Sequence, residues 1–182
     1  MAELPGKILV WDPLLRAFHW TLVVSIAAAW LTAEVDESLH EIFGYVALAL
    51  IAWRVLWGLV GPRYARFSQF VRKPRVVWSY LRTVLAGTEA RFIGHNPAGG
   101  AMILALLAVV GVVSASGWLL TTDALWGNAW AQHAHSLLAH GLVVLIALHI
   151  GGVALASWRH RENLAGAMLT GVKRGAQSEE IM

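Results

Sequence analysis

Residues 131–158 read AQHAHSLLAHGLVVLIALHIGGVALASW, a run without a single Asp, Glu, Lys or Arg. About 20 apolar residues are enough for a helix to cross the roughly 30 Å hydrocarbon layer of a membrane. Three further stretches of this kind lie at about residues 14–31, 39–60 and 98–120. All four are continuously apolar, whereas the strands of a membrane barrel would alternate. The sequence therefore predicts an all-α integral membrane protein, a bundle of four transmembrane helices.

The composition agrees with a membrane protein. Of the 182 residues, 58% are hydrophobic and 14% are charged, against roughly 45–50% and about 25% in soluble domains. The chain has no cysteine, which excludes disulfides, Cys-ligated zinc, iron–sulfur clusters and covalently attached c-type haem. The length favours one domain, residues 1–182. The net charge of +3 needs no nucleic-acid partner, because topology and lipid contact explain it.

The basic residues are confined to one side of the predicted membrane. All 14 Lys and Arg lie in the N-terminal segment, the second-to-third connection or the tail 159–182, or near the span ends that face them. The charges in the other two connections are acidic: Glu34, Asp36, Glu37, Glu41 and Asp123. Short loops rich in Lys and Arg stay in the cytoplasm. Both termini are therefore expected to be cytoplasmic.

The second-to-third connection contains a candidate interfacial helix. Pro74 is followed by apolar residues at helical spacing, at positions 77, 80, 81, 84 and 85. Proline is favoured at the first position of a helix, and an amphipathic helix beside a span is typical of the membrane surface. A packed loop helix without lipid contact is the alternative.

Of the six histidines within the bounds of the predicted spans, His133 lies at the membrane edge and His140 points away from His135, which leaves four candidates: His19, His40, His135 and His149. Ionisable side chains are costly there and therefore indicate function. His135 and His149 are 14 residues apart on one span, so their rings share a face at depths about 21 Å apart. Because the first two spans run in opposite directions, His19 is expected at the depth of His149 and His40 at the depth of His135.

Two pairs of imidazoles at two depths predict two haem groups, each held by histidines from two facing helices. Gly44, one turn after His40, leaves room for a ring edge, and Gly111 and Gly117 give the third span a small-residue wall. Zinc is disfavoured because no HExxH motif is present. Open alternatives are hydrogen-bonded histidines without a metal, or a proton relay. The expected ligands are His19 and His149 for the cytoplasmic-side iron, and His40 and His135 for the periplasmic-side iron.

Two arginines are candidates to pair with haem propionates. Arg16 precedes His19 by three residues and therefore shares its helix face. Arg54 offers the same chemistry from the second span. Snorkelling of either side chain to lipid phosphates is the alternative.

Several segments resemble one family. Val10-Trp-Asp-Pro-Leu-Leu-Arg-Ala-Phe-His-Trp is similar to the start of the first helix in the bacterial cytochrome b561 and nickel–iron hydrogenase b-subunit superfamily. The other similar segments are His40-Glu-Ile-Phe-Gly-Tyr, Arg54-Val-Leu-Trp-Gly, Gly94-His-Asn-Pro and Arg161-Glu-Asn-Leu-Ala-Gly-Ala-Met-Leu-Thr-Gly. The resemblance implies two b haems ligated at His19, His40, His135 and His149. Where the family often has an acidic residue and an amide, this chain has Ser136 and His140.

The resemblance implies a cytochrome of the bacterial inner membrane that carries electrons between the quinone pool, ubiquinone or menaquinone, and a periplasmic redox partner such as a c-type cytochrome. Bis-histidine ligation favours electron transfer over oxygen activation. Residues near the cytoplasmic haem that are candidates to orient a quinone head group are Arg54, Trp57, Arg66, His95 and Asn96.

Other readings remain open. An enzyme would be a quinone-linked oxidoreductase, such as a superoxide oxidase that reduces ubiquinone, but the acidic outer connections disfavour an anionic donor. The chain could also be the cytochrome b anchor of a larger dehydrogenase or hydrogenase, or a haem-free transporter. The sequence leaves both a monomer and a homodimer open.

Overall fold

The computed structural model describes residues 6–175. Their regular secondary structure is helical, apart from one short β-ribbon. The ribbon pairs β1 (Lys7–Leu9) with β2 (Val172–Arg174) in antiparallel fashion. The helices are α1 (Pro13–Thr32), α2 (Glu37–Val60), α3 (Phe67–Phe70), α4 (Pro74–Ala86), α5 (Pro97–Leu120), α6 (Ala129–Arg159) and α7 (Leu164–Thr170). A 3-10 turn, Arg63–Ala65, precedes α3.

The four predicted spans are confirmed as helices. α1, α2, α5 and α6 are the helices of the described chain that are long and apolar enough to cross a membrane. Each contains one predicted span and extends it by at most two residues at either end. The helix predicted after Pro74 is also present, as α4. The β-ribbon was not predicted.

The long helices and α7 begin in the same way. Each is preceded by an Asp or Asn whose side-chain oxygen accepts a hydrogen bond, of 2.7 to 3.0 Å, from the backbone N–H three residues later. Such a cap satisfies one of the N–H groups that a helix start leaves without an internal partner. The capping residues are Asp12, Asp36, Asn96, Asn128 and Asn163.

The chain divides into two compact units. The central unit comprises Ala17–Leu56 and Ala105–Leu148, and the peripheral unit comprises the described residues 6–16, 57–104 and 149–175. In the central unit, Ala47, Ile51, Val110 and Leu142 form a buried apolar core. The core also receives partly buried side chains from α1, such as Leu22 and Ile26, so parts of all four long helices pack around it.

The peripheral unit contains a buried ionic cluster of Arg91, Glu162 and Lys173. The Glu162 carboxylate accepts hydrogen bonds from Arg91 Nη2 at 2.7 Å and Nε at 3.2 Å, and Lys173 Nζ lies 3.4 Å from it. Lys173 also donates to the Ile93 carbonyl at 2.9 Å. Burial alone would raise the pKa of Glu162, but the hydrogen bond from Arg91 and the charges of Lys173 and Arg91 hold this pKa below its usual value. The cluster ties the connection before α5 to β2.

Candidate functional site

His40 and His135 face each other in the central unit. His40 lies in the first turn of α2, and His135 in the second turn of α6. Their ring centroids are 6.1 Å apart and the ring planes are perpendicular. Both side chains are half-buried. The structure therefore brings together the two histidines that the sequence assigned to the periplasmic-side iron.

The hydrogen bonds of His40 and His135 show which nitrogen of each ring is available to bind a metal. Nδ1 of His40 lies 2.8 Å from the carbonyl oxygen of Ala29, which can only accept, so Nδ1 carries the proton. Nδ1 of His135 lies 2.9 Å from the Ser116 hydroxyl, which already donates its proton to the Val113 carbonyl at 2.8 Å. His135 therefore also donates from Nδ1. In both neutral rings Nε2 keeps its lone pair, as a metal ligand requires.

Glycines adjust the space around the two rings. A Cβ on Gly117 would lie 3.2 Å from Cε1 of His135, so the absence of a side chain there lets α5 approach the ring closely. At Gly44, one turn after His40, a Cβ would meet no atom within 4 Å. Gly117 lets α5 approach the His135 ring, and Gly44 leaves open the space in which the sequence predicted a ring edge.

The separation of the two rings fits a shared iron. A metal held by one nitrogen of each ring would lie about 2 Å from that nitrogen, and the 6.1 Å between the ring centroids would leave room for it. A pair of histidines leaves the equatorial positions of an iron to other donors, which a porphyrin supplies. Among residues 6–175, no group of three or more His, Asp or Glu is placed to hold a metal by itself. The residues present fit a bis-histidine haem.

The other two predicted ligands lie in different units. His19 is a half-buried residue of α1 in the central unit, and its ring meets that of Trp20 edge-on at 5.1 Å. His149 is a half-buried residue of α6 in the peripheral unit. At Gly152, three residues further along α6, a Cβ would meet nothing within 4 Å. Ligation by His19 and His149 stays a prediction.

The two predicted propionate partners have different surroundings. Arg54 is only 2% exposed in the central unit. It follows His40 on α2 by 14 residues, the spacing that also separates His135 from His149 on α6, so Arg54 and His40 share a helix face. Arg16, in contrast, donates from Nη1 to the carbonyl of Leu169 near the end of α7, within the peripheral unit. Pairing of Arg16 with a propionate stays a prediction.

The quinone candidates of the peripheral unit are largely engaged in local structure. Asn96 is the cap of α5, and Nε of Arg66 donates to the Gly61 carbonyl at 2.6 Å. The His95 ring lies 4.5 Å from that of Trp11 and 4.8 Å from that of Phe70. These contacts account for the side chains without a quinone.

The hydrogen-bond acceptors of the two facing ligands were missed from the sequence. Ala29 acts through its backbone carbonyl, which no side-chain pattern reveals. Ser116 has a weak signal, since it is one of few hydroxyl residues in the apolar run of α5 and directly precedes Gly117.

A helical protein with four helices of membrane-spanning length, and with two histidine rings whose centroids lie 6.1 Å apart, has the features of a haem-binding membrane cytochrome. Comparison with family models agrees, since the model of prokaryotic cytochrome b561 matches residues 10–171. The chain belongs to the prokaryotic cytochrome b561 family. Membership implies a membrane b-type cytochrome that contains haem b and acts in electron transfer, in a lipid and quinone context. Neither the search of curated proteins nor that of solved structures gave a match.

Proposed function

We propose that this protein is a di-haem cytochrome that carries electrons across the bacterial inner membrane between the quinone pool and a periplasmic redox partner such as a c-type cytochrome. The observation that carries the proposal is the His40–His135 pair, whose rings face each other with both Nε2 atoms available. When bound, haem supplies reversible one-electron chemistry. If His40 and His135 both held the iron, no position would be open for oxygen, which favours electron transfer.

A second haem, held by His19 and His149, completes the proposed electron path. Its support is the family membership and the 14-residue spacing on α6, which places His149 about 21 Å further along the helix than His135. We assign Arg54 to a propionate of this second haem. The Arg54 guanidinium is 2% exposed and shares a helix face with His40, and a carboxylate suits its planar donor set.

The proposed orientation places both termini, and the tail 159–182, in the cytoplasm. The peripheral unit contains every Lys and Arg of the described chain except Arg54, and such residues are retained on the cytoplasmic side. The His40–His135 pair is then near the periplasmic surface. We treat residues 1–182 as one functional domain, with ubiquinone or menaquinone as the membrane-dissolved redox partner.

The test is a haem count on single-site variants in nanodiscs. The wild-type protein is expected to contain two b haems in a pyridine haemochrome assay, to be reduced by a quinol analogue and to be reoxidised by a soluble c-type cytochrome. Replacement of any one of His19, His40, His135 or His149 by Ala removes one haem. His133→Ala is the matched control, because His133 is an exposed histidine on the same helix as His135.

Each outcome has a separate meaning. A folded wild-type protein without haem would overturn the proposal and favour a transporter. Two haems that survive His40→Ala would show that the facing pair is not a ligand pair. Two haems that a quinol cannot reduce would refute the link to the quinone pool.

A further inference from the structure

Helix α4 presents three different faces. Val77, Tyr80 and Val84 are buried or half-buried. Trp78, Leu81 and Leu85 follow one another at intervals of three and four residues and therefore form one stripe along the helix. These three side chains are 59%, 37% and 86% exposed. The face with Val77, Tyr80 and Val84 is packed against the protein. An exposed apolar stripe on such a helix is typical of a surface that contacts lipid or another protein.

Basic side chains border this stripe. Arg75 and Arg82 lie on α4, and Arg72 and Lys73 immediately precede it; all four are exposed. The guanidinium carbon of Arg82 lies 5.5 Å from the centre of the Trp78 ring, so charge and apolar surface are adjacent. The chain contains no Asp or Glu between residues 42 and 88. Glu89, the next carboxylate, is 2.9 Å from Arg159.

The position of α4 along the chain fixes its depth. It follows the end of α2 at Val60 and precedes the start of α5 at Pro97. Both are helices of membrane-spanning length, and their ends at this point lie on the side that the positive-inside rule assigns to the cytoplasm. The connections 61–73 and 87–96 therefore keep α4 on the same side of the membrane as these two helix ends, within reach of the phosphate layer.

We propose that α4 is a binding surface for anionic phospholipids. The stripe of Trp78, Leu81 and Leu85 lies against the upper acyl chains, and the four basic residues Arg72, Lys73, Arg75 and Arg82 contact lipid phosphates. The charge of the surface is complementary to anionic lipid, because a row of basic residues without carboxylates attracts the anionic cytoplasmic leaflet. Apolar residues beside Lys and Arg are also typical of helices that lie in the plane of the membrane interface. A protein subunit would have to cover the same stripe, which is an outcome the test separates.

The absence of cysteine allows the depth of single positions to be measured. Leu85→Cys, on the stripe, and Ser79→Cys, beyond its basic border, are each spin-labelled in the full-length haem-containing protein in nanodiscs. Power saturation then compares collisions with oxygen, which concentrates in lipid, and with a water-soluble nickel chelate. The label at position 85 is expected to favour oxygen and the label at position 79 the nickel chelate. Equal exposure of both labels to the nickel chelate would refute a lipid-covered stripe.

The charge requirement has its own test. Native mass spectrometry counts phosphatidylglycerol retained from mixed phosphatidylcholine–phosphatidylglycerol nanodiscs. The triple variant K73Q/R75Q/R82Q is expected to lose at least about fivefold of this retention. The control triple K7Q/R63Q/R161Q removes the same charge from other exposed residues of the peripheral unit and should change it little. An equal loss in both triples would overturn the proposal in favour of general charge attraction, and no loss in either would exclude headgroup binding.

Discussion

Ser116→Ala tests whether His135 is prepared as an axial ligand. The Ser116 hydroxyl accepts the Nδ1 proton of His135 at 2.9 Å, and alanine leaves this donor without its acceptor. Loss of the acceptor costs about 1–3 kcal/mol for a fully buried donor, which is an upper range for the half-buried His135, while loss of the partner of a metal-bound histidine typically weakens metal binding about 10–100-fold. The two figures agree, since about 1.4 kcal/mol is a factor of ten. We expect the haem held by His40 and His135 to be lost about 10–100-fold faster.

Haem transfer to excess apomyoglobin, followed by absorbance, measures this rate. Wild-type protein should release its two haems in two phases, and only one phase should accelerate in Ser116→Ala. Ser114→Ala is the matched control, because Ser114 is a serine of the same helix that is 9% exposed. Ser116→Thr keeps the hydroxyl and should restore slow release. Identical kinetics for Ser116→Ala and Ser114→Ala would refute the assigned role of the hydroxyl.

Three further predictions follow from the structure. Gly117→Ala places a Cβ 3.2 Å from His135 Cε1 and should shift the low-spin EPR signal of one haem, whereas Gly111→Ala makes only a 3.5 Å contact with a methyl group and should not. Glu162→Gln removes the carboxylate that balances two buried cations and should destabilise the protein by about 3–5 kcal/mol in thermal unfolding. Because the folded-state pKa of Glu162 is below its usual 4.5, its stabilisation is present above that pH and is lost as the pH falls further; a wild-type advantage over Glu162→Gln that persists at lower pH would contradict this. Asn128→Ala should lower the free energy of unfolding by about 1 kcal/mol, because α6 loses its N-cap. The control in the same thermal unfolding measurement is Asn128→Asp, which keeps an acceptor oxygen.

The spans were predictable because their signal is local. A continuous apolar run can satisfy its backbone hydrogen bonds in lipid only as a helix, so the boundaries of α1, α2, α5 and α6 follow from the residues themselves. The Asp and Asn caps would have sharpened these boundaries, since Asp12, Asp36, Asn96 and Asn128 each lie two or three residues before the start of a predicted span. The facing of His40 and His135 was predictable too, because helix rise and chain direction fix the depth of each residue.

The features that were not predictable depend on contacts between distant parts of the chain. The β-ribbon joins residues near both ends of the described chain, and strands of three residues leave too short a pattern to recognise. Arg16 shares a helix face with His19, and the sequence did not show that its Nη1 donates to the carbonyl of Leu169, 153 residues later; its pairing with a propionate stays a prediction. Spacing along one helix gives the direction of a side chain, but only the fold shows what lies there.

The charges of the central unit discriminate between the candidate electron donors and acceptors. Arg54 is its only Lys or Arg, and it is buried, whereas Glu34, Asp36 and Glu37 are exposed within a few residues of His40. The negative electrostatic potential of these residues near His40 repels a small anion such as superoxide and attracts a redox protein with a basic surface. In the proposed orientation the His40 end of the unit faces the periplasm. The acidic residues that disfavour capture of superoxide there would then favour transient docking of a soluble electron carrier, since Arg54 is the only basic residue in both segments of the unit.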